Sequence, residues 1–101
     1  MNQPENHIFL SIVIPTYNRL QGLESILRSI KTQFNHLQNI EIIVVNNDLH
    51  LSEAVEDICR NFIESGLLLN VYHQPLIGGS HARNMGIEHA KGSWIAFIDD
   101  D

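Results

Sequence analysis

Apolar positions along this chain alternate between two rhythms. Ile8–Ile14, Ile40–Val45, Leu67–Tyr72 and Trp94–Ile98 are short, nearly continuous hydrophobic runs rich in β-branched and aromatic residues. Such runs predict strands buried on both faces, as in a parallel sheet. Between them the spacing becomes helical. Leu23, Ile26, Leu27, Ile30 and Phe34 lie on one stripe, and Val55, Ile58, Cys59, Phe62 and Ile63 on another. Ser52 is placed to cap the second helix and Gly66 to stop it. Cys59 falls on the stripe and is read as core rather than as a nucleophile. A weaker third helix is predicted from Ser80 to about Ala90, with Ala82, Met85 and Ala90 inward and Gly92 past its end. Trp94 is expected in the core, opening the fourth strand.

The resulting order, βαβαβαβ, predicts an α/β fold of the Rossmann-like kind: a mostly parallel sheet with right-handed crossovers and helices on both faces. Ligands of such sheets bind beyond the carboxyl ends of the strands, where strand order reverses. The segments leaving those ends are Pro15-Thr16-Tyr17-Asn18-Arg19, Asn46-Asn47-Asp48, His73-Gln74 and Asp99-Asp100-Asp101. With strand order 3-2-1-4, the first and fourth strands are neighbours, and Thr16 to Arg19 lie beside the three aspartates. Residues 1–7 form a polar lead. Residues 8–101 form one domain, expected to be incomplete after its fourth strand.

Composition narrows the function classes. Six Lys and Arg stand against twelve Asp and Glu, a net charge of −6, so a basic nucleic-acid-binding face is not expected. The longest apolar run, Ile8–Ile14, is too short to cross a bilayer. The opening MNQPENH lacks the pattern of a signal peptide. A single cysteine permits no internal disulfide and suits a reducing compartment. The chain is therefore expected in the cytoplasm, free or peripheral at the inner face of the membrane. Six histidines show no zinc-ligand spacing, and His73 is assigned a surface role.

The chemistry gathers at the predicted edge. Adjacent carboxylates repel one another unless a cation neutralises them. A hard ion such as Mg²⁺ or Mn²⁺ takes one or two carboxylates with phosphate and water. In an extended backbone Asp99 and Asp101 point to one side, which makes them a natural clamp. Tyr17 offers a flat face for a base or caps the sheet. Asn18 and Arg19 serve either a ligand or the turn and helix start. Thr16, Asn46 and Asn47 offer hydrogen bonds. Gly78-Gly79 ahead of a helix lets backbone N–H groups approach an anion, and Arg83 lies one turn on, at reach for a phosphate. The chain contains neither GxxxxGK[ST] nor a GxGxxG after its first strand, which argues against a P-loop enzyme and an ordinary dinucleotide-binding domain.

Taken together, "SIVIPTYNR" at 11–19, "EIIVVNND" at 41–48 and "GGSHARNMGIEHAKGSWIAFIDDD" at 78–101 resemble the nucleotide-binding half of family 2 glycosyltransferases, which have the GT-A fold. The resemblance implies transfer of a sugar from a nucleotide-diphosphate sugar donor to an acceptor hydroxyl, inverting and metal-dependent. It places the nucleotide against Pro15, Thr16, Tyr17, Asn18, Arg19, Asn46, Asn47, Asp48, Gly78, Arg83, Asp99 and Asp100, with Asn84 paired to Arg83. It gives Asp101, with Asp99, to a Mn²⁺ or Mg²⁺ ion on the diphosphate. The general base of the family lies beyond the D-x-D element, so no catalytic residue is expected within this chain. The glycan or lipid-linked acceptor would be met by the missing half, and the 101 residues alone are expected to transfer no sugar.

One motif departs from the family. Asp-Asp-Gly-Ser commonly follows its second strand, with an aspartate reading the imide N–H of uracil, and here the residues are Asn46-Asn47-Asp48. An amide still bonds a base edge but loses the preference for an N–H donor. Asp48 would substitute if the loop shifted by a residue. That departure keeps a second hypothesis in play, a non-catalytic nucleotide- or metal-binding module or decayed gene product. A sugar-nucleotide pyrophosphorylase would need a glycine-rich basic loop after the first strand, which Pro15-Thr16-Tyr17 does not supply.

Overall fold

The computed structural model describes residues 7–34 and 39–100. They form β1 (Leu10–Thr16), α1 (Leu20–Phe34), β2 (Ile40–Asn46), α2 (Glu53–Glu64), β3 (Leu69–His73), α3 (Gly79–His89) and β4 (Trp94–Phe97). The four strands make one parallel sheet, as the alternation of rhythms predicts, in the order β3-β2-β1-β4. Leu10 of β1 is in register with Ile40 of β2 and with Trp94 of β4.

The period of two along the central strands sorts their side chains between the faces. Ile12 and Ile14 of β1 with Ile42 and Val44 of β2 meet Leu23, Leu27 and Ile30 of α1 and Val55 and Cys59 of α2. Val13, Ile43 and Val45 turn the other way, onto Ala82 of α3, with Met85 and Ala90 packed alongside. α2 is capped as predicted: the Ser52 side chain accepts from Val55 N–H at 3.2 Å, and Gly66 takes a left-handed φ of 113° past the last turn. Burial, and secondarily the charge of Glu56, pushes the Cys59 thiol up to about 12, so it is a core group and not a nucleophile.

Three expectations need correction. Trp94 is 65% exposed rather than core, and Ile95 and Phe97 are exposed with it. Among the described strands β4 pairs with β1 alone, and of its four residues just Ala96 is half-buried. β1 begins at Leu10 and runs through Pro15 and Thr16, two residues assigned by sequence to the following loop. A proline fits here for a reason. Val13 O accepts from Ile98 N of the β4 segment and Thr16 O from Asn47 N, so alternate residues address alternate neighbours. Pro15 therefore faces the β4 side, past the last registered pair Val13–Phe97, where no ladder bond is lost. β3 begins at Leu69, two residues later than its apolar run suggests.

Candidate functional site

The carboxyl edge of the sheet brings the first and fourth strands' exits together. Thr16, fully buried at the end of β1, donates its Oγ1 hydroxyl to Asp100 Oδ2 at 2.6 Å. Arg19 Nε stands 3.9 Å from the other carboxylate oxygen. The Asp100 side chain is only 8% exposed, so the middle aspartate is turned inward. Asp99 alternates with it and is exposed. Asp101 lies outside the described residues, and among those residues no three His, Cys, Asp or Glu converge as a ready-made metal cluster.

Asp100 is also gripped from α1. A Cβ on Gly22 would collide with the Asp100 carbonyl, so the first turn of α1 approaches that backbone as only glycine permits. α1 carries no acid in its own first turn. The Asp100 carboxylate, sharing a 410 Å³ hollow with residues Asn18 to Gly22, supplies the negative charge that a helix N-terminus favours. Asn18 supports the same turn in a left-handed conformation, φ 53°, which its side chain tolerates better than most. Asn18 and Arg19 thus build the turn and helix start.

Beside this clamp, Pro15, Thr16, Tyr17, Asn47, Gly79, Asp99 and Asp100 line a cleft of about 270 Å³. Tyr17 is 49% exposed. Gly79 opens α3, whose N-cap, Gly78, makes no side-chain cap bond and has a φ of 145° that suits glycine alone. The Arg83 guanidinium folds back over that terminus: a Cβ on Gly79 would lie 2.9 Å from its Nη1. The α3 N-terminus at Gly79 thus lines the cleft with a guanidinium close beside it, an arrangement that attracts anions. Asn84 is exposed on the same helix.

The second strand's exit differs from its sequence reading. Asn47 is 6% exposed, and its amide serves the protein itself. Nδ2 donates to Gln74 O and Leu76 O, each at 2.9 Å, while Oδ1 accepts from Gly78 N–H at 3.0 Å. Both donors are spent on the loop that leads into α3. Asp48 caps its own turn, accepting from Leu49 N–H at 2.7 Å, and its carbonyl accepts from His73 Nε2–H at 2.8 Å. His73 thereby has a structural job where a surface role was expected. Asn46 donates to His50 O at 3.3 Å, while its buried Oδ1 has no partner among the described residues. Sequence reasoning missed Gly22, and it missed Asn47 as a staple. A glycine inside an otherwise apolar helical period was the available signal for the first.

Comparison with known proteins bears on the family and the fold. GlyA, a glycosyltransferase of Streptococcus pneumoniae, is 35% identical over 92 residues, which cover 91% of this chain and 13% of that protein. The minor teichoic acid biosynthesis protein GgaB of Bacillus subtilis is 33% identical over 102 residues, covering all of this chain and 11% of GgaB. The solved mannosyltransferase PcManGT of Pyrobaculum calidifontis, in complex with GDP-Man and Mn²⁺, superposes with a TM-score of 0.79 at 24% identity, covering 96% of this chain and 28% of that one. The chain thus spans between 11% and 28% of the length of these three proteins. Of the described helices, none is long and apolar enough to cross a membrane. The sequence description of Glycosyl transferase family 2 matches residues 11–101, and this chain belongs to that family.

Proposed function

We propose that this chain holds the nucleotide-diphosphate sugar donor of a glycosyltransferase and presents it to an acceptor hydroxyl. The observation that carries this reading is the Thr16–Asp100 hydrogen bond, which sets Asp99 beside Tyr17 in a cleft that Gly79 also lines. Tyr17 stacks on the base, with Pro15 and Thr16 as the floor beneath it. Asn46, whose buried Oδ1 lacks a donor among the described residues, sits with Asn47 and Asp48 on the base side. The free N–H groups of the α3 N-terminus, from Gly79 onward, and the Arg83 guanidinium meet the diphosphate. Asp100 holds the loop of Asn18 and Arg19 in place beside it.

Asp99 and, beyond the described residues, Asp101 are assigned to a divalent cation, Mn²⁺ or Mg²⁺. Hard carboxylate oxygens at the mouth of the cleft suit such an ion, which keeps water and phosphate among its ligands. Mn²⁺ in PcManGT supports the assignment. When bound, the cation offsets negative charge on the departing diphosphate. Arg83 and the α3 N-terminus act in the same direction, through charge and dipole held ready before the bond breaks. The reaction is read as inverting: the acceptor oxygen bonds the anomeric carbon as the bond to diphosphate breaks, and the acceptor proton leaves to a base not assigned among these residues.

UDP, GDP and dTDP titrated into the chain with and without Mn²⁺ test this. Mn²⁺-dependent binding of one of them is expected, weakened about tenfold or more in Asp99→Asn, in line with the loss of a charged ligand. Binding that needs no metal and ignores Asp99→Asn would remove the cation from the scheme. The commitment of both Asn47 donors to the protein favours a second reading, a nucleotide-binding module without transfer. Donor binding with neither hydrolysis nor transfer in a protein that also carries the acceptor half distinguishes it.

A further inference from the structure

Toward the opposite end of the sheet, roughly 15 Å from the aspartates at ~3.3 Å per residue, lies a buried polar cluster the site does not use. Glu41, 3% exposed, occupies the apolar run of β2, in register with the fully buried Ser11 of β1. Its Oε2 accepts from Ser11 Oγ–H at 2.6 Å and from Lys91 N–H at 2.6 Å. Ser11 Oγ in turn accepts from Gly92 N–H at 2.8 Å. A Cβ on Gly92 would lie 2.7 Å from Ser11 N and Oγ, so the chain is drawn tight against β1 at this point.

Lys91 and Gly92 are the last residues before the turn into β4. That strand has four residues and one neighbour, and its side chains are exposed or half-buried. It therefore has little apolar packing to set its position along β1. Polar contacts do this instead: Glu41 and Ser11 at its start, and Ile98 N–H to Val13 O and Thr16 to Asp100 at its end. A buried carboxylate shared between two donors is costly to leave half-satisfied, so the pairing strongly prefers one register.

We infer that Glu41 is a positioning residue for the carboxyl-edge aspartates: through Ser11, Lys91 and Gly92 it fixes the register of β4, and so where Asp99 and Asp100 stand relative to Thr16 and the α3 N-terminus. The inference rests on the donor-site reading for its functional consequence, but not for its structural one. Both bonds to Glu41 end on a single oxygen, which gives a sharp test. Glu41→Gln retains an acceptor oxygen able to take both, whereas Glu41→Asp is one methylene too short and Glu41→Ala has none.

The experiment compares these variants with Ser11→Ala and with Leu27→Ala, a core deletion in α1, at a temperature where each is folded. Amide exchange is read at Trp94 and Ile98, and Mn²⁺-dependent nucleotide affinity by titration. Expected are faster exchange at both amides and about tenfold weaker affinity in Glu41→Ala and Glu41→Asp, in the range known for lost supporting contacts around metal ligands. Ser11→Ala shifts the same way by less. Glu41→Gln is restored to near the parent values, and Leu27→Ala loses stability without either change. Unaltered Ile98 exchange in both Glu41→Ala and Ser11→Ala would overturn the inference, as would Glu41→Gln failing as badly as Glu41→Ala. Absence of nucleotide binding in the unsubstituted chain would defeat the donor-site reading alone, and exchange then decides the register. Should Glu41→Ala not fold, Ser11→Ala and Glu41→Gln carry the comparison.

Discussion

The two faces of the sheet are built on different terms. One is covered by α1 and α2, whose Leu23, Leu27, Ile30, Val55 and Cys59 close over Ile12, Ile14, Ile42 and Val44. The other is covered by α3, which offers Ala82 and Gly86 to Val13, Ile43 and Val45. Large side chains hold the first face together. The second depends on close approach: Gly86 touches Val13 so nearly that a Cβ there would clash with both of its methyls. The difference follows from position. α3 has to bring its bare N-terminus, Gly78 and Gly79, to the edge beside Thr16 and Asp99, and a helix of small residues lies near enough to the strands to do so. The thick face supplies stability, and the thin one supplies placement.

Truncation in the thick face should have the largest effect. Leu27→Ala is expected to cost about 2–5 kcal/mol, the usual result of a cavity in a sealed core, measured as a lowered denaturant midpoint. Enlargement should be worse than truncation on the thin face. Gly86→Ala is expected to cost about 1–3 kcal/mol through overpacking against Val13, whereas Met85→Ala, half-buried on the same helix, should cost less. A Gly86→Ala variant as stable as the parent would break the contrast between the faces.

The thick face also makes a prediction in pH. The Cys59 thiol is raised to about 12 by burial. Above pH ~9 the unfolded chain gives up this proton and the folded chain keeps it, so the unfolded state is favoured. The associated stability is complete below about pH 9 and is lost as pH climbs toward 12. Melting temperatures from pH 8 to 10 should fall less steeply in Cys59→Ala than in the parent. Iodoacetamide should label the parent only on unfolding. The smallest effect belongs to neither face. Asn18→Gly should change stability by only about 0.5 kcal/mol, since both residues accept a left-handed turn, while Asn18→Val should lose about 1–2 kcal/mol.

Much of this was legible in the sequence because periodicity reports burial. The alternation in Ile12-Val13-Ile14 and the helical stripe of Leu23 and Leu27 predict the layers, whereas the sheet order 3-2-1-4 entered only as a condition, which the structure meets. β4 was misread for the same reason: an apolar run says what wants to be covered, not whether anything covers it. Trp94 therefore read as core. Asn47 was opaque in another way. Its three partners are backbone groups 27 to 31 residues away, which leave no trace in side-chain chemistry. Glu41 was the missed clue that local reasoning could have caught. A charged residue inside a strand buried on both faces demands a partner, and the network with Ser11 and Lys91 provides it. For the site, Thr16, Tyr17, Gly79 and Asp99 were correctly brought to one edge, while the inward turn of Asp100 depends on Gly22, a contact 78 residues apart in sequence.

The Asn47 amide has a consequence for anyone wishing to retune the protein toward a different base. Replacing Asn47 by aspartate would look like a one-atom edit toward the Asp-Asp-Gly-Ser pattern. It would in fact remove the two N–H donors that tie down Gln74 and Leu76 and leave a carboxylate facing their carbonyl oxygens. The segment from Gln74 to Gly78 would lose its tether, and with it the placement of the α3 N-terminus. On the donor-site reading, base preference and loop architecture meet in the same residue here. A change of specificity at this position has to be engineered as a loop replacement, with the acid and a new 74–78 segment introduced together.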